Sequence, residues 1–349
     1  MGDKKEISNG ISKDEAELYD RQIRLWGLDA QNRLRNASVL IIGLTGLGAE
    51  VAKTLLLCGI KSICLYDNGL VQEHERISNF FLDFENGLEK RRSEAVWKQL
   101  KELNPLVQLY IEKDSLPTSE EFLQQFDLVI SIDQSVELNT QINNVCRALK
   151  INFQCGSVYG WIGYCFFDYN GKKFEIKKTK TKTTCSDVNE VNQCQDDTKE
   201  FVIDDDYEEK FVNYKSYEET FNFNVDWGNM TRRKKRLFPV DYFILKACIK
   251  NNVNGDVKEQ IEGLKLKYKQ ILVENNAEND DSLKINNFSD EKMKFYCNPQ
   301  YNGTCSIVGG VLGQQAISVL SQNKLNIETK NVFIYSSLSR KGSVHQMPM

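Results

Sequence analysis

Short apolar runs alternate along the chain with longer stretches whose apolar residues recur every three or four positions. Ser12-Lys13-Asp14-Glu15 has capping-box spacing, with Ile11 and Ala16 placed as a hydrophobic staple, and predicts a helix through Leu18, Arg21 and Leu25. Ala37 to Ile42 reads as a strand, followed by a glycine-rich turn and a helical stretch to Cys58 that Gly59 ends. Ile63 to Tyr66 is the next strand, with Asp67 at its end. Lys90 to Leu103 is helical and stops at Asn104-Pro105. Val107 to Ile111, Leu128 to Ile132 and Asn152 to Cys155 read as further strands, with a helix through Leu138 to Leu149 between the last two. Alternation of this kind predicts an α/β fold: a doubly wound parallel sheet with helices on both faces.

After Phe167 the pattern breaks. Lys172 to Lys182 is basic, Asp196 to Glu209 strongly acidic and Arg232 to Arg236 basic again. Like-charge blocks with few aliphatics predict a solvated, flexible insert. Val240 to Cys248 and Val257 to Val273 then read as helices, with Asn275 to Asp281 as polar linker. Ser306 to Leu320 is an apolar, glycine-bearing helix and Val332 to Tyr335 a strand, so the α/β pattern resumes near residue 296. The expected organisation is a tail (1–13), the first part of the sheet domain (14–169), an insertion (170–295), the second part of the domain (296–336) and a short tail (337–349). Within the insertion, 170–239 is charged and 240–295 helical. There is no internal repeat.

Composition narrows the function classes. With 349 residues and 41% hydrophobic content the chain can bury a sizeable core, and a formal net charge of -4 gives no basic excess for nucleic acid. Ten cysteines, at 58, 64, 146, 155, 165, 185, 194, 248, 297 and 305, include no Cys-x-x-Cys pair, which argues against structural zinc. The opening Met1-Gly2-Asp3-Lys4-Lys5-Glu6 is no apolar signal segment, and Glu6 removes a myristoylation reading, so reduced thiols in cytosol or nucleus are expected. No apolar run is expected to span a bilayer.

The chemistry centres on Gly43-Leu44-Thr45-Gly46-Leu47-Gly48, between a strand and a helix. Glycine there lets the backbone turn tightly and approach a phosphate, and the helix N-terminus offers free N–H groups at the positive end of its dipole. Asp67 could accept hydrogen bonds from a ribose. The spacing is shifted from the dinucleotide fingerprint, and a tight turn with no ligand explains the same glycines.

Tyr19-Asp20-Arg21-Gln22-Ile23-Arg24-Leu25-Trp26-Gly27, ahead of this turn, resembles the ubiquitin-activating enzyme superfamily, with its ThiF/MoeB-like adenylation fold. Asn104-Pro105, Phe126-Asp127-Leu128-Val129-Ile130 and Ser306-Ile307-Val308-Gly309-Gly310 match as well, and Val225-Asp226-Trp227 weakly. The resemblance covers residues 14–169 and 296–336 and implies paired domains, of which the active one uses ATP and magnesium to adenylate the C-terminal glycine of a ubiquitin-like protein. Arg21 matches the arginine that reaches across the pair to the other domain's phosphates. A guanidinium fork suits phosphate oxygens; a surface salt bridge to Glu17 is the plain alternative.

Departures from the pattern imply which half this is. Active halves place Asn, Arg and Gln after the second strand, where this chain has Ile77-Ser78-Asn79 before Phe80-Phe81. The magnesium aspartate after the fourth strand falls at Gln134 by alignment from Cys146, although Asp133 is adjacent, and Leu44 stands where a small residue is usual. No cysteine domain or C-terminal ubiquitin-like fold is expected, and Cys185, after Lys178, Lys180 and Lys182, is the one outlying candidate thiol, with a solvated insert thiol as its plain reading. The chain is most similar to the compact, non-cysteine regulatory subunits of SUMO-type activating enzymes. That implies a large cysteine-bearing subunit as partner, SUMO reached through the complex, and ATP and Mg bound mainly by the partner. Gly43, Gly46, Gly48 and Asp67 are then retained for folding or a residual site, and Arg21 is the catalytic contribution in trans. Arg232-Arg233-Lys234-Lys235-Arg236 reads equally as a nuclear import patch or a solvated loop, and the resemblance implies the nucleus, with a cytoplasmic share left open. The competing readings are a self-sufficient homodimeric adenylating enzyme, a nucleotide fold kept as scaffold and a nicotinamide dehydrogenase.

Overall fold

The computed structural model describes residues 12–82, 88–113, 118–171, 173–177, 207–251, 255–283, 289–322 and 330–348. Its strands are β1 (Ser38–Ile42), β2 (Ser62–Tyr66), β3 (Gln108–Ile111), β4 (Leu128–Ile132), β5 (Asn152–Tyr159), β6 (Ile162–Asp168), β7 (Lys173–Lys177), β8 (Tyr207–Phe211), β9 (Val332–Ser336) and β10 (Lys341–His345). Eight of them form one sheet in the order β10-β9-β6-β5-β4-β1-β2-β3, and β7 pairs with β8 apart from it. From β3 to β5 the strands are parallel. β1 lies between β2 and β4, so the strand order reverses beside it, which is where open α/β sheets bind ligands.

Side chains alternate across a strand, and both faces are buried. Val39 and Ile41 join one core with the Gly46–Cys58 and Asn302–Ser321 helices, whereas Leu40 and Ile42 join a second core on the opposite face. That second core takes in the Val136–Leu149, Asp241–Lys250 and Val257–Glu274 helices.

The structure departs from expectation in several places. β6 continues β5 as an antiparallel hairpin through Gly160 (φ 54°), and β9 and β10 are also antiparallel, so the sheet is mixed. Residues 337–349, expected as a tail, supply edge strand β10 and the fully buried Met347. The expectation of a flexible 170–239 does not hold for its second half: Tyr214, Tyr217, Phe221, Trp227 and Phe238 are buried. Aromatics recurring through this charged stretch give it core contacts, while Arg232, Arg233 and Lys234 face outward from a short helix capped by Thr231. Asn275, expected in a linker, is buried and takes the Val225 and Trp227 amides. The Ile11 staple, Lys178 to Lys182 and Cys185 lie outside the described residues.

The N-terminal capping box forms as expected, with Ser12 and Glu15 exchanging side-chain and backbone bonds. One further expectation needs correction. The Asn302–Ser321 helix is, by its 20 residues and its apolar window, long enough to cross a bilayer. In the fold that window is 67% buried, packed on the Gly46–Cys58 helix, as in a core helix.

Candidate functional site

The glycine turn leaves β1 at the strand-order reversal. Gly43 has φ 93°, and a Cβ there would stand 2.2 Å from the Ile132 carbonyl oxygen. A Cβ on Gly48 would be 2.1 Å from the Gly43 carbonyl oxygen, and one on Gly46 2.7 Å from that of Ser78. All three glycines are therefore required by approaches of the chain to itself, with or without a ligand. Thr45 sits at the helix N-cap but makes no capping bond, because its hydroxyl donates to Asp133.

Asp67 stands at the end of β2, 8% exposed. One carboxylate oxygen accepts the Leu44 N–H at 2.7 Å, and the other accepts the Gly69 N–H at 2.7 Å and faces the Arg92 guanidinium at 3.4 Å. Arg92 also donates Nε to Glu75 at 2.6 Å, and Glu75 is itself buried. Burial works against the Arg92 charge, but Asp67 and Glu75 outweigh it and raise the group above its ordinary value. Sequence reasoning missed Arg92. Its signal was a cation in the first turn of the Arg92–Leu103 helix, the positive end of the dipole, where a cation is disfavoured unless carboxylates face it.

Across the turn, Asp133 accepts bonds from Thr45, from the Val158 N–H at 3.1 Å and from Gln300 Nε2 at 2.7 Å. Burial raises its carboxyl above the usual range against those bonds. Gln134 lies over Gly43 and donates its amide to the Ile132 carbonyl at 2.8 Å. Asn79 is buried, and its amide donates to the Leu44 carbonyl at 3.0 Å. Ile77 and Phe80 on either side are 57% and 68% exposed. A cavity of about 730 Å³ lies beyond β4, walled by Asp133, Gln134, Tyr159, Lys246 and Lys250; neither Asp67 nor the three turn glycines line it.

Arg21 is not brought to this turn. The chain breaks at Tyr19 into Lys13–Leu18 and Asp20–Trp26 helices. The buried Tyr19 hydroxyl accepts from Asn104 Nδ2 at 2.8 Å, and Gln22 Nε2 donates to the Leu57 carbonyl at 2.9 Å. Those anchors fix the segment at the far end of the Gly46–Cys58 helix, whose 13 residues span about 20 Å at about 1.5 Å per residue. Arg21 points outward, exposed, between Leu18 and Leu25 at 59% and 68% exposure. The alternative pairing with Glu17 is not made, and among the described residues Arg21 has no ion pair. Its neighbour Arg24 pairs with Asp20 instead, at 3.1 Å.

Eight cysteines lie among the described residues, all free, seven of them buried. Burial pushes the thiols of Cys58, Cys64 and Cys146 up to about 12 and that of Cys297 to about 11, the opposite of what a nucleophile needs.

The family described as ThiF matches residues 19–349. SUMO-activating enzyme subunit aos-1 of Caenorhabditis elegans is 34% identical over 348 residues, covering 97% of this chain and 99% of its own. SUMO-activating enzyme subunit 1 of Danio rerio is 32% identical, covering 96% and 95%, and that of Homo sapiens 30% identical, covering 99% and 98%. Among solved structures, E. coli MccB with succinimide superposes with TM-score 0.54 at 13% identity, over 95% of this chain and 71% of its own. PaaA gives 0.56 at 14% identity, over 99% and 78%. At such identities these two structures speak to the fold.

Proposed function

The chain belongs to the ThiF family, and from that premise we propose that it is the non-cysteine subunit of a heterodimeric SUMO-activating enzyme. With its partner it supports ATP-dependent adenylation of the SUMO C-terminus, followed by thioester formation on a cysteine of the partner. Near-full-length likeness to subunits named for that enzyme supports the reading, and among the described residues seven of the eight thiols are buried.

ATP and magnesium belong, in this reading, to the partner's cleft. Arg21 is this chain's contribution to it. The observation that carries the assignment is the placement of Arg21 at the opposite end of the Gly46–Cys58 helix from its own glycine turn, exposed and without an ion pair among the described residues. A side chain so placed serves a site on another chain rather than its own. Its guanidinium would bind phosphate oxygens there and stabilise charge as the adenylate forms. Exposed Leu18 and Leu25 on either side give the partner apolar surface to cover. Partner and arginine then make one site, which depends on assembly.

Localisation to the nucleus belongs to the same proposal, with the outward-facing Arg232, Arg233 and Lys234 as an import patch and a cytoplasmic share left open. The test of the catalytic role is Arg21→Ala in the assembled heterodimer. The expected outcome is a fall in SUMO-dependent adenylation of about 100-fold, as for loss of one charge-stabilising donor, with assembly retained. Undiminished adenylation would show that Arg21 has no role in trans.

A further inference from the structure

The phosphate-facing end of this chain's own glycine turn does not fit a nucleotide as it stands. The space over Gly46 holds the Ser78 carbonyl, within 2.7 Å of where a Cβ would be, and Asn302 Nδ2 fixes that carbonyl at 3.2 Å. Arg92 Nη1 lies 1.9 Å from the position of a Cβ added to Gly69. Asp67 already accepts two backbone amides and faces Arg92, and Asn79 takes the Leu44 carbonyl.

We infer that this cleft is self-occupied: Arg92, held between Asp67 and Glu75, and the Leu44 and Gly69 amides take up the carboxylate that a ribose would need, and the Ser78 carbonyl fills the space over Gly46. The inference rests on the regulatory reading, which leaves ATP to the partner. It goes further by naming the side chains that close this half.

The closure is also structural. Arg92 opens its helix, Asp67 ends β2, and Glu75 lies in the 3₁₀ turn Glu73–Ile77. The Ser93 hydroxyl donates to the Asp67 carbonyl at 3.0 Å, so the same junction ties helix to strand end. A nucleotide entering here would have to displace Arg92 from two buried carboxylates, leaving their charge uncompensated.

The experiment uses the full-length chain and MgATP, with calorimetric titration and thermal melting as readouts. The wild-type chain is expected to give no saturable heat and no rise in Tm. Arg92→Ala is expected to lower Tm by about 3 °C or more, because Asp67 and Glu75 lose their counter-charge. Adding Glu75→Gln to that variant should restore part of the loss, as coupled sites do. Saturable MgATP binding by the wild-type chain, weakened in Arg92→Lys, would overturn the inference and make Arg92 a nucleotide ligand. An unchanged Tm in Arg92→Ala, or no recovery in the double variant, would overturn it as well. The wild-type titration stands even where a variant fails to fold. None of these readouts needs the partner, so failure of adenylation by the mixed subunits leaves them intact, and their failure leaves the role of Arg21 intact.

Discussion

Gly48 and Gly310 are the same residue type held for different reasons. A Cβ on Gly48 would meet the Gly43 backbone at 2.1 Å, whereas one on Gly310 would meet nothing within 4 Å. Gly48→Ala should therefore destabilise the chain by about 2 kcal/mol or more, and Gly310→Ala, on an exposed helix position, should stabilise it by about 0.5–1 kcal/mol. Urea unfolding of both variants checks the contrast. Lys246 offers a pH test. It is 1% exposed, donates to the Phe223 carbonyl at 2.7 Å and to Asn224 Oδ1 at 3.2 Å, and is pushed down to about 8, chiefly by burial and then by Lys250, while Glu274 opposes the shift. Because the folded value lies below the unfolded 10.5, the unfolded chain binds more protons between the two, and stability rises with pH across that window. The difference in stability between wild type and Lys246→Met, followed by denaturation from pH 7.5 to above 10, should shift toward wild type as pH rises. No shift would mean that Lys246 titrates normally in the fold. Sequence revealed the glycines and Asp67 because strand–turn–helix spacing is local. It did not reveal Arg92 or Glu75, whose meaning arises only when a helix start, a strand end and a 3₁₀ turn converge.

Among elements, the parallel strands β1, β2 and β4 were legible because each is a short apolar run buried on both faces. β6 was as apolar but directly follows β5, and with that strand expected to end at Cys155 and the break placed after Phe167, no element was assigned between them, so the Gly160 turn went unread. β10 carries little apolar signal, with three of its five residues exposed; backbone pairing to β9 defines it instead. Its consequence is Met347, whose N–H and carbonyl both bond the buried Asn331 side chain at 2.7 Å. Met347→Ala should cost about 2–5 kcal/mol, the range for emptying a buried Met site, read as a lowered midpoint in denaturant. A change below about 0.5 kcal/mol, the range of surface substitutions, would mean that the C-terminal strand is not part of the cooperative fold. The described part of the insertion follows the same logic: charge blocks suggested a solvated segment, yet Trp227 packs edge-on against Phe238 and Phe243 and donates to Asp280 at 2.9 Å.

At the scale of the whole molecule, the two ends of one helix divide the labour. At its N-terminal end the glycine turn is packed by the chain's own backbone and by Ser78, and Asp67 is paired with Arg92; at its C-terminal end Tyr19 and Gln22 hold a segment from which Arg21 projects. In the proposed reading, a subunit built this way leaves nucleotide to its partner and offers it Arg21. The Tyr19 to Gly27 run was legible in sequence as a resemblance, but its direction was not, because that depends on where Asn104 and Leu57 fold. The most direct test is SUMO-dependent ATP–pyrophosphate exchange, measured for this chain alone and then mixed with the large cysteine-bearing SUMO-activating subunit. Exchange in the mixture and none in the chain alone is the predicted result. Exchange by the chain alone would contradict the account, and would mean that its own glycine turn and Asp67 form a working ATP site.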